Sequence, residues 1–254
     1  MPETSPYYVE FREVSKAFNG LVVLDKVSFQ VKPGETLVIL GRSGVGKSVT
    51  LSHIMGFLKP DSGRVFVANQ DITEAGEQEL LEIRKRVTLV FQSGALFDSL
   101  TVGENVAFPL RERPELTEED IENIVEGMLD LVNIRELRDL APSELSTGMK
   151  RAVAIARALA AKPEAILYDE PTTMVDPLMS AHIAGLIQRL KQQLRLTSIL
   201  VTHDTQLARM LADRVVFLHD AAVAFFGSVE EMEHCRHPFI RDFLAFDEPM
   251  RGGG

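Results

Sequence analysis

The sequence predicts an α/β fold: a mostly parallel sheet with helices on both faces. Three observations predict it. Thr36–Leu40 and Ala165–Tyr168 are short, continuous apolar runs, as strands buried on both faces require. From residue 165 onward, strand and helix patterns alternate. The chain has 254 residues, 45% hydrophobic and 25% charged, enough to bury a core without metals or disulfides.

The elements follow in order. Residues 7–40 read as strands, with Val22, Val23, Leu24, Val27, Phe29 and Val31 apolar and Pro33-Gly34 marking a turn. Thr36–Leu40 leads into a glycine-rich segment and a helix from about Gly46 to Phe57. Pro60–Gly63 is a turn, Arg64–Ala68 a strand, and Val87–Val90 another apolar run. Residues 93–150 change character. Thr117 followed by Glu118, Glu119 and Asp120 predicts a capped helix start, and Ile121, Ile124, Val125, Met128, Leu129 and Val132 recur at helical spacing. After Ala165–Tyr168 comes a helix over Pro177–Leu194, with Leu178, Ile183, Leu186, Ile187, Leu190 and Leu194 expected on one stripe. Thr197–Val201 (strand), Thr205–Leu211 (helix) and Arg214–Leu218 (strand) complete the alternation. In the tail, Phe239, Ile240, Phe243 and Leu244 are spaced for a helix that packs on its own core or bridges to another copy. Arg251–Gly254 is expected to be disordered.

Charge and cysteine content narrow the function classes. A net charge of −10 argues against broad nucleic-acid binding and against a polybasic membrane anchor. The single cysteine, Cys235, can form no intrachain disulfide, so no oxidising compartment is implied. The start, Met1-Pro2-Glu3-Thr4, lacks the regions of a signal peptide, and no run approaches a spanning helix. A cytoplasmic chain is expected, meeting a membrane only through a partner.

Two motifs carry chemistry. Gly41-Arg42-Ser43-Gly44-Val45-Gly46-Lys47-Ser48 fits G-x-x-x-x-G-K-[ST], after a buried strand and before a helix. Glycines let successive backbone N–H groups point into one hollow, and the helix N-terminus adds its positive end. In such a loop Lys47 reaches the β/γ-phosphates of ATP, the Ser48 hydroxyl ligates Mg²⁺, and Val49 continues the phosphate-binding turn. The second motif is Asp169-Glu170, delivered by an apolar strand to the ligand edge of a parallel sheet. There Asp169 suits Mg²⁺ held through water, and Glu170 suits a general base for the attacking water.

With further residues the pattern resembles the ABC-transporter ATP-binding subunits over nearly the whole chain. Leu145-Ser146-Thr147-Gly148-Met149 stands where that family carries its LSGGQ signature, before the helix Arg151–Leu159. Gln92 matches the Q-loop, Asp176 the D-loop, His203 the switch histidine, and Phe18 the aromatic residue that stacks on adenine. The resemblance implies a P-loop NTPase (RecA-like) core, an antiparallel β subdomain and a helical insert. Residues 1–92 and 151–227 would form the core, 93–150 the helical subdomain and 228–254 a tail. It also implies a homodimer with two ATP molecules between the copies. Each phosphate loop would face Ser146, Thr147, Gly148 and Met149 of the other copy. Gln92 would couple Mg²⁺ and water to the insert, and His203 would hydrogen-bond the γ-phosphate.

A narrower likeness joins the segment Phe91–Val102, the segment Glu104–Arg111, Met149 in place of the usual glutamine, and Tyr168–Thr173. These resemble the ATPase of Mla/Mce-type lipid transporters. Such systems hold the ATPase on the cytoplasmic face of the inner membrane and pair it with an MlaE-like permease and a Mce-domain substrate-binding protein. Residues 93–111 are then expected to form the cleft for the permease, with Glu104 on its rim. Two departures stand out: Thr147 replaces the second signature glycine, and Met174-Val175 replaces Gly-Leu before Asp176. The alternatives are the ATPase of another importer, for example for amino acids, a non-transport ABC ATPase and a non-hydrolysing subunit.

Overall fold

The protein is described here by a computed structural model covering residues 4–246, so the tail at Arg251–Gly254 lies outside the described residues. The chain begins with β1 (Val9–Phe18), β2 (Leu21–Val31), β3 (Thr36–Leu40), α1 (Lys47–Ile54), β4 (Ser62–Val67), β5 (Gln70–Asp71) and α2 (Glu77–Arg86). Next come β6 (Val87–Val90), α3 (Val102–Ala107), α4 (Glu118–Leu131), α5 (Thr147–Ala160), β7 (Ala165–Asp169) and α6 (Pro177–Leu194). It continues through β8 (Thr197–Thr202), α7 (Thr205–Leu211), β9 (Arg214–His219), β10 (Ala222–Gly227), α8 (Val229–Glu233) and α9 (Pro238–Phe246). Two compact units emerge, one up to Arg84 and again from Arg195, the other Lys85–Leu194.

The first unit holds an antiparallel sheet and a mostly parallel one. The antiparallel strands run β2-β1-β4-β5, with Phe11 opposite Phe29 and their rings stacked at 4.6 Å. In the other sheet β3 lies between β8 and β9 and is parallel to both. All five residues of β3 are buried, which is why its sequence is apolar without alternation. β10 pairs antiparallel with β9. It carries no sequence signal of the buried-strand kind because each of its residues stays half-exposed. α9 packs on its own unit: Ile240 is fully buried and Phe243 meets Phe217 edge-on at 4.9 Å.

The second unit pairs β6 with β7 in parallel and packs α3 and α4 against α5, a largely buried helix. Thr117 caps α4 as expected: its hydroxyl accepts from Asp120 N while the Asp120 carboxylate accepts from Thr117 N. The Thr117 hydroxyl, which also donates to the Asp120 carboxylate at 2.6 Å, and then the Thr117 N–H hold the Asp120 carboxyl below its ordinary range. The α6 stripe needs correction. Ile183, Leu186, Ile187 and Leu190 are buried, but Leu178 is 82% exposed and Leu194 is also exposed. At about 100° per residue, Leu178 points about 140° away from Ile183, and Leu194 is where the helix ends. No helix among the described residues is long and apolar enough to cross a membrane.

Candidate functional site

In the first unit the chain leaves the C-terminal end of β3 and turns through Gly41–Gly46 into α1. Glycine is required at two places. Gly41 has φ 155°, and a Cβ there would stand 2.7 Å from the Leu218 carbonyl oxygen. Gly46 has φ 109°, and a Cβ would stand 2.9 Å from the Val23 carbonyl oxygen and from Leu24 Cδ2. Gly46 is also the N-cap of α1, with no side-chain cap and no acid in the first turn. The helix therefore presents its N–H groups and its positive end undiluted. Lys47 is buried, and its Nζ donates to the carbonyl oxygens of Gly41 (2.8 Å) and Arg42 (3.1 Å). A hollow of N–H donors around an ammonium group fits the phosphates of a nucleotide. Arg42, Ser43, Gly44 and Ser48 are exposed around it, with Val45 and Val49 half-buried.

The neighbouring strand brings His203 to the same edge. Leu40 pairs with Thr202, so Gly41 and His203 each follow one residue beyond a matched pair. His203 is exposed, between Thr202, whose hydroxyl accepts from Asp204 N, and Asp204, whose carboxylate caps α7 by accepting from Leu207 N. Phe18 closes β1 at the Asn19-Gly20 turn. It is 38% exposed, so it belongs to the surface and not to the core, and the Lys16 ammonium lies 5.6 Å from its ring centroid.

In the second unit, parallel pairing of Val90 with Tyr168 brings Gln92 and Asp169-Glu170 to one sheet edge. Gln92 is exposed. Glu170 sits at φ 45°, a left-handed conformation that costs a non-glycine residue about 1 kcal/mol or more. Its Oε2 accepts from the Thr173 hydroxyl at 2.9 Å, and its carbonyl accepts from Thr173 N. Asp176 caps α6 by accepting from Met179 N at 3.0 Å. Ser146 is the N-cap of α5, its Oγ accepting from Met149 N at 3.3 Å. Thr147 is exposed, whereas Gly148 is buried against the Met179 side chain.

Sequence reasoning assigned no role to Arg151, yet it ties these loops together. At 3% exposure it donates to the Phe91 carbonyl (3.1 Å) beside Gln92 and to the Thr173 carbonyl (3.3 Å) behind Glu170. Burial lowers its pKa from the ordinary arginine value, and the Asp169 charge opposes that. An arginine in a helix just past the signature was the visible signal, but its two carbonyl partners lie far away in sequence.

An apolar groove of about 350 Å³ also belongs to this unit, lined by Phe91, Phe97, Phe108, Pro109 and Arg157 among others. Arg157 donates to the carbonyls of Gly94 and Ala95 and holds that segment in place. Glu104, by contrast, belongs to a different and polar cavity, and its carboxylate accepts from Thr101 N in the capping box of α3.

The ABC transporter family profile matches residues 24–173. The chain is 39% identical over 96% of its length to the intermembrane phospholipid transport system ATP-binding protein MlaF of Haemophilus influenzae, covering 93% of that protein. It is 36% identical over 93% of its length to the probable ribonucleotide transport ATP-binding protein mkl of Mycobacterium leprae, covering 68% of it. Among solved structures it is similar to the dimeric ATP-binding cassette MJ0796 in a post-hydrolysis state bound to ADP and Pi. That likeness has a TM-score of 0.79 at 32% identity, covering 87% of this chain and 98% of that one. This chain therefore belongs to the ABC transporter family, as an ATP-binding and ATP-hydrolysing subunit.

Proposed function

We propose that the chain powers a lipid transporter of the Mla/Mce type, with two copies closing on two ATP molecules. What carries this reading is the 39% identity, across 96% of the chain, to a relative named for intermembrane phospholipid transport. Phe18 stacks on adenine, and the N–H groups from Gly41 to Val49 receive the phosphates. Lys47 Nζ exchanges the carbonyls of Gly41 and Arg42 for β/γ-phosphate oxygens. Ser48 and Gln92, with Asp169 through water, would hold Mg²⁺, which supplies charge neutralisation on the phosphates. Glu170 accepts the proton of the attacking water, its carboxylate oriented by the Thr173 hydroxyl. His203 donates to the γ-phosphate. From the second copy, the Ser146 hydroxyl and the N–H groups of Thr147, Gly148 and Met149 meet the same phosphate, and Asp176 helps form that interface. Thr147, with a side chain where the family has glycine, slows this approach.

The residue 93–150 subdomain takes up a helix of an MlaE-like permease in the groove of Phe97 and Phe108. A Mce-domain protein carries the substrate on the far side. The chain then sits on the cytoplasmic face of the inner membrane, touches the bilayer only through the permease, and engages no nucleic acid. Phe97→Asp should abolish co-purification of the permease. Glu104→Lys is a poorer test, because it breaks the α3 cap.

In the purified complex, Glu170→Gln should bind ATP normally and hydrolyse it about 10²–10⁴-fold more slowly. Equal rates would remove Glu170 from the role of base. Phospholipid bound to the co-purified permease supports the lipid assignment. A permease that instead binds ribonucleotide would favour the second reading, suggested by the likeness to mkl.

A further inference from the structure

Arg42 is the second residue of the phosphate loop, and its carbonyl accepts from Lys47 Nζ. Its side chain meets an aromatic face: the guanidinium carbon stands 4.7 Å from the ring centroid of Phe239 in α9. Phe239 in turn stacks on His219, the last residue of β9, at 3.6 Å and 12° between planes. The residue before His219 is Leu218, whose carbonyl oxygen leaves no room for a Cβ on Gly41. One phenyl ring thus touches both the loop and the strand end that bounds the loop's first glycine. α9 is held in place by buried Ile240 and by the edge-on contact of Phe243 with Phe217. All of these residues lie in the first compact unit.

A guanidinium on an aromatic face is favoured by about 0.5–1 kcal/mol at an exposed site. Stacking uses the flat face of the group and leaves its edge N–H donors available for phosphate oxygens. Arg42 is otherwise an exposed, rotamer-rich side chain, so the ring reduces the ordering that nucleotide binding must impose on it. The contact exists only when α9 is seated and the loop has this conformation.

We propose that α9 is a positioning element for the phosphate loop, with Phe239 holding Arg42 ready for phosphate. Helix seating and nucleotide affinity are then reciprocally linked. This rests on the reading of Gly41–Ser48 as the ATP loop.

The test uses the full chain and a titration with a fluorescent ATP analogue. Phe239→Leu keeps the apolar bulk but removes the π face, and should raise Kd about 2- to 5-fold. Phe239→Tyr should restore it. In an Arg42→Gln background, Phe239→Leu should add nothing further. An unchanged Kd in Phe239→Leu, or independent multiplication of the two effects, would overturn the proposal. A purely structural helix would lower thermal stability equally in both backgrounds without this coupling. A second measurement needs no Phe239 variant. Nucleotide should slow amide exchange at residues 238–246 in the wild type but not in Arg42→Gln, and equal slowing in both counts against the proposal. Lys47→Ala tests the underlying reading separately, since undiminished nucleotide binding in that variant would remove the loop itself as the site.

Discussion

Two helices of this chain begin at the motifs proposed to hold phosphate, and their first turns are built in opposite ways. α1 starts at Gly46, with positive φ, no side-chain cap and no acid, so its leading N–H groups are left to a ligand. α5 starts at Ser146, whose hydroxyl already accepts from Met149 N, and Gly148 in its first turn is covered by Met179. In the first case the backbone shape is set by places where no Cβ fits. In the second a side chain holds the turn, and the same hydroxyl, which accepts from Met149 N, keeps its own O–H free to donate to a phosphate. The loop of α1 leaves its donors open, whereas the signature turn of α5 is satisfied by itself.

The largest effect expected from this contrast is on Lys47. Lys47→Ala removes the buried ammonium held at the carbonyls of Gly41 and Arg42 and should reduce ATP hydrolysis by about 10²–10³-fold. The matching change on α5, Ser146→Ala, should cost far less, because backbone N–H groups remain. Comparable losses in a steady-state assay would break the comparison.

Next in size are the glycines. Gly46→Ala forces a Cβ against the Val23 carbonyl in a left-handed conformation, so about 1–3 kcal/mol of stability should be lost together with nucleotide binding. The atoms nearest a Cβ in Gly148→Ala all belong to the Met179 side chain, which is half-exposed and able to turn away. Pairing it with Met179→Ala should restore whatever stability is lost. A Gly148→Ala defect that persists in the pair would show that the backbone itself is at its limit there. Urea denaturation of Gly46→Ala, Gly148→Ala and the Gly148→Ala/Met179→Ala pair measures these stabilities.

The contrast also explains what could be read from sequence. The loop Gly41–Ser48 was legible because its chemistry dictates residue types at fixed offsets. The cap at Thr117 is similarly local. Leu178 misled because spacing alone does not fix which face of α6 is covered, and the helix phase leaves it in solvent. α2 and β10 carried too few buried residues to declare themselves. Arg151 and the pair of Arg42 with Phe239 were invisible for another reason. Their partners are brought near by the fold, and sequence order gives no hint of them.

Arg151 yields the next prediction. Its charge supports the carbonyls of Phe91 and Thr173, so Arg151→Met should destabilise by about 2–3 kcal/mol and slow hydrolysis with little change in ATP affinity. A variant with normal turnover would show that Gln92 and Glu170 are held by other means.

The smallest effect concerns pH, and it separates the two helices by their buried bases. α5 keeps a charged one in Arg151. α1 carries His53, 1% exposed, with Nδ1 2.7 Å from the Val49 carbonyl oxygen. Burial lowers its pKa from the ordinary histidine value, with the Val49 contact opposing. The folded state therefore binds fewer protons at this site than the unfolded chain does. Stability is unaffected by this site well above the ordinary histidine pKa, and falls as pH drops below it until the folded pKa is passed. One proton limits the slope to about 1.4 kcal/mol per pH unit. His53→Leu should flatten the stability profile between about pH 6.5 and 5, whereas Arg151→Met should leave its shape unchanged and shift it as a whole. If both variants keep the wild-type slope, acid sensitivity comes from elsewhere and His53 is protonated without cost.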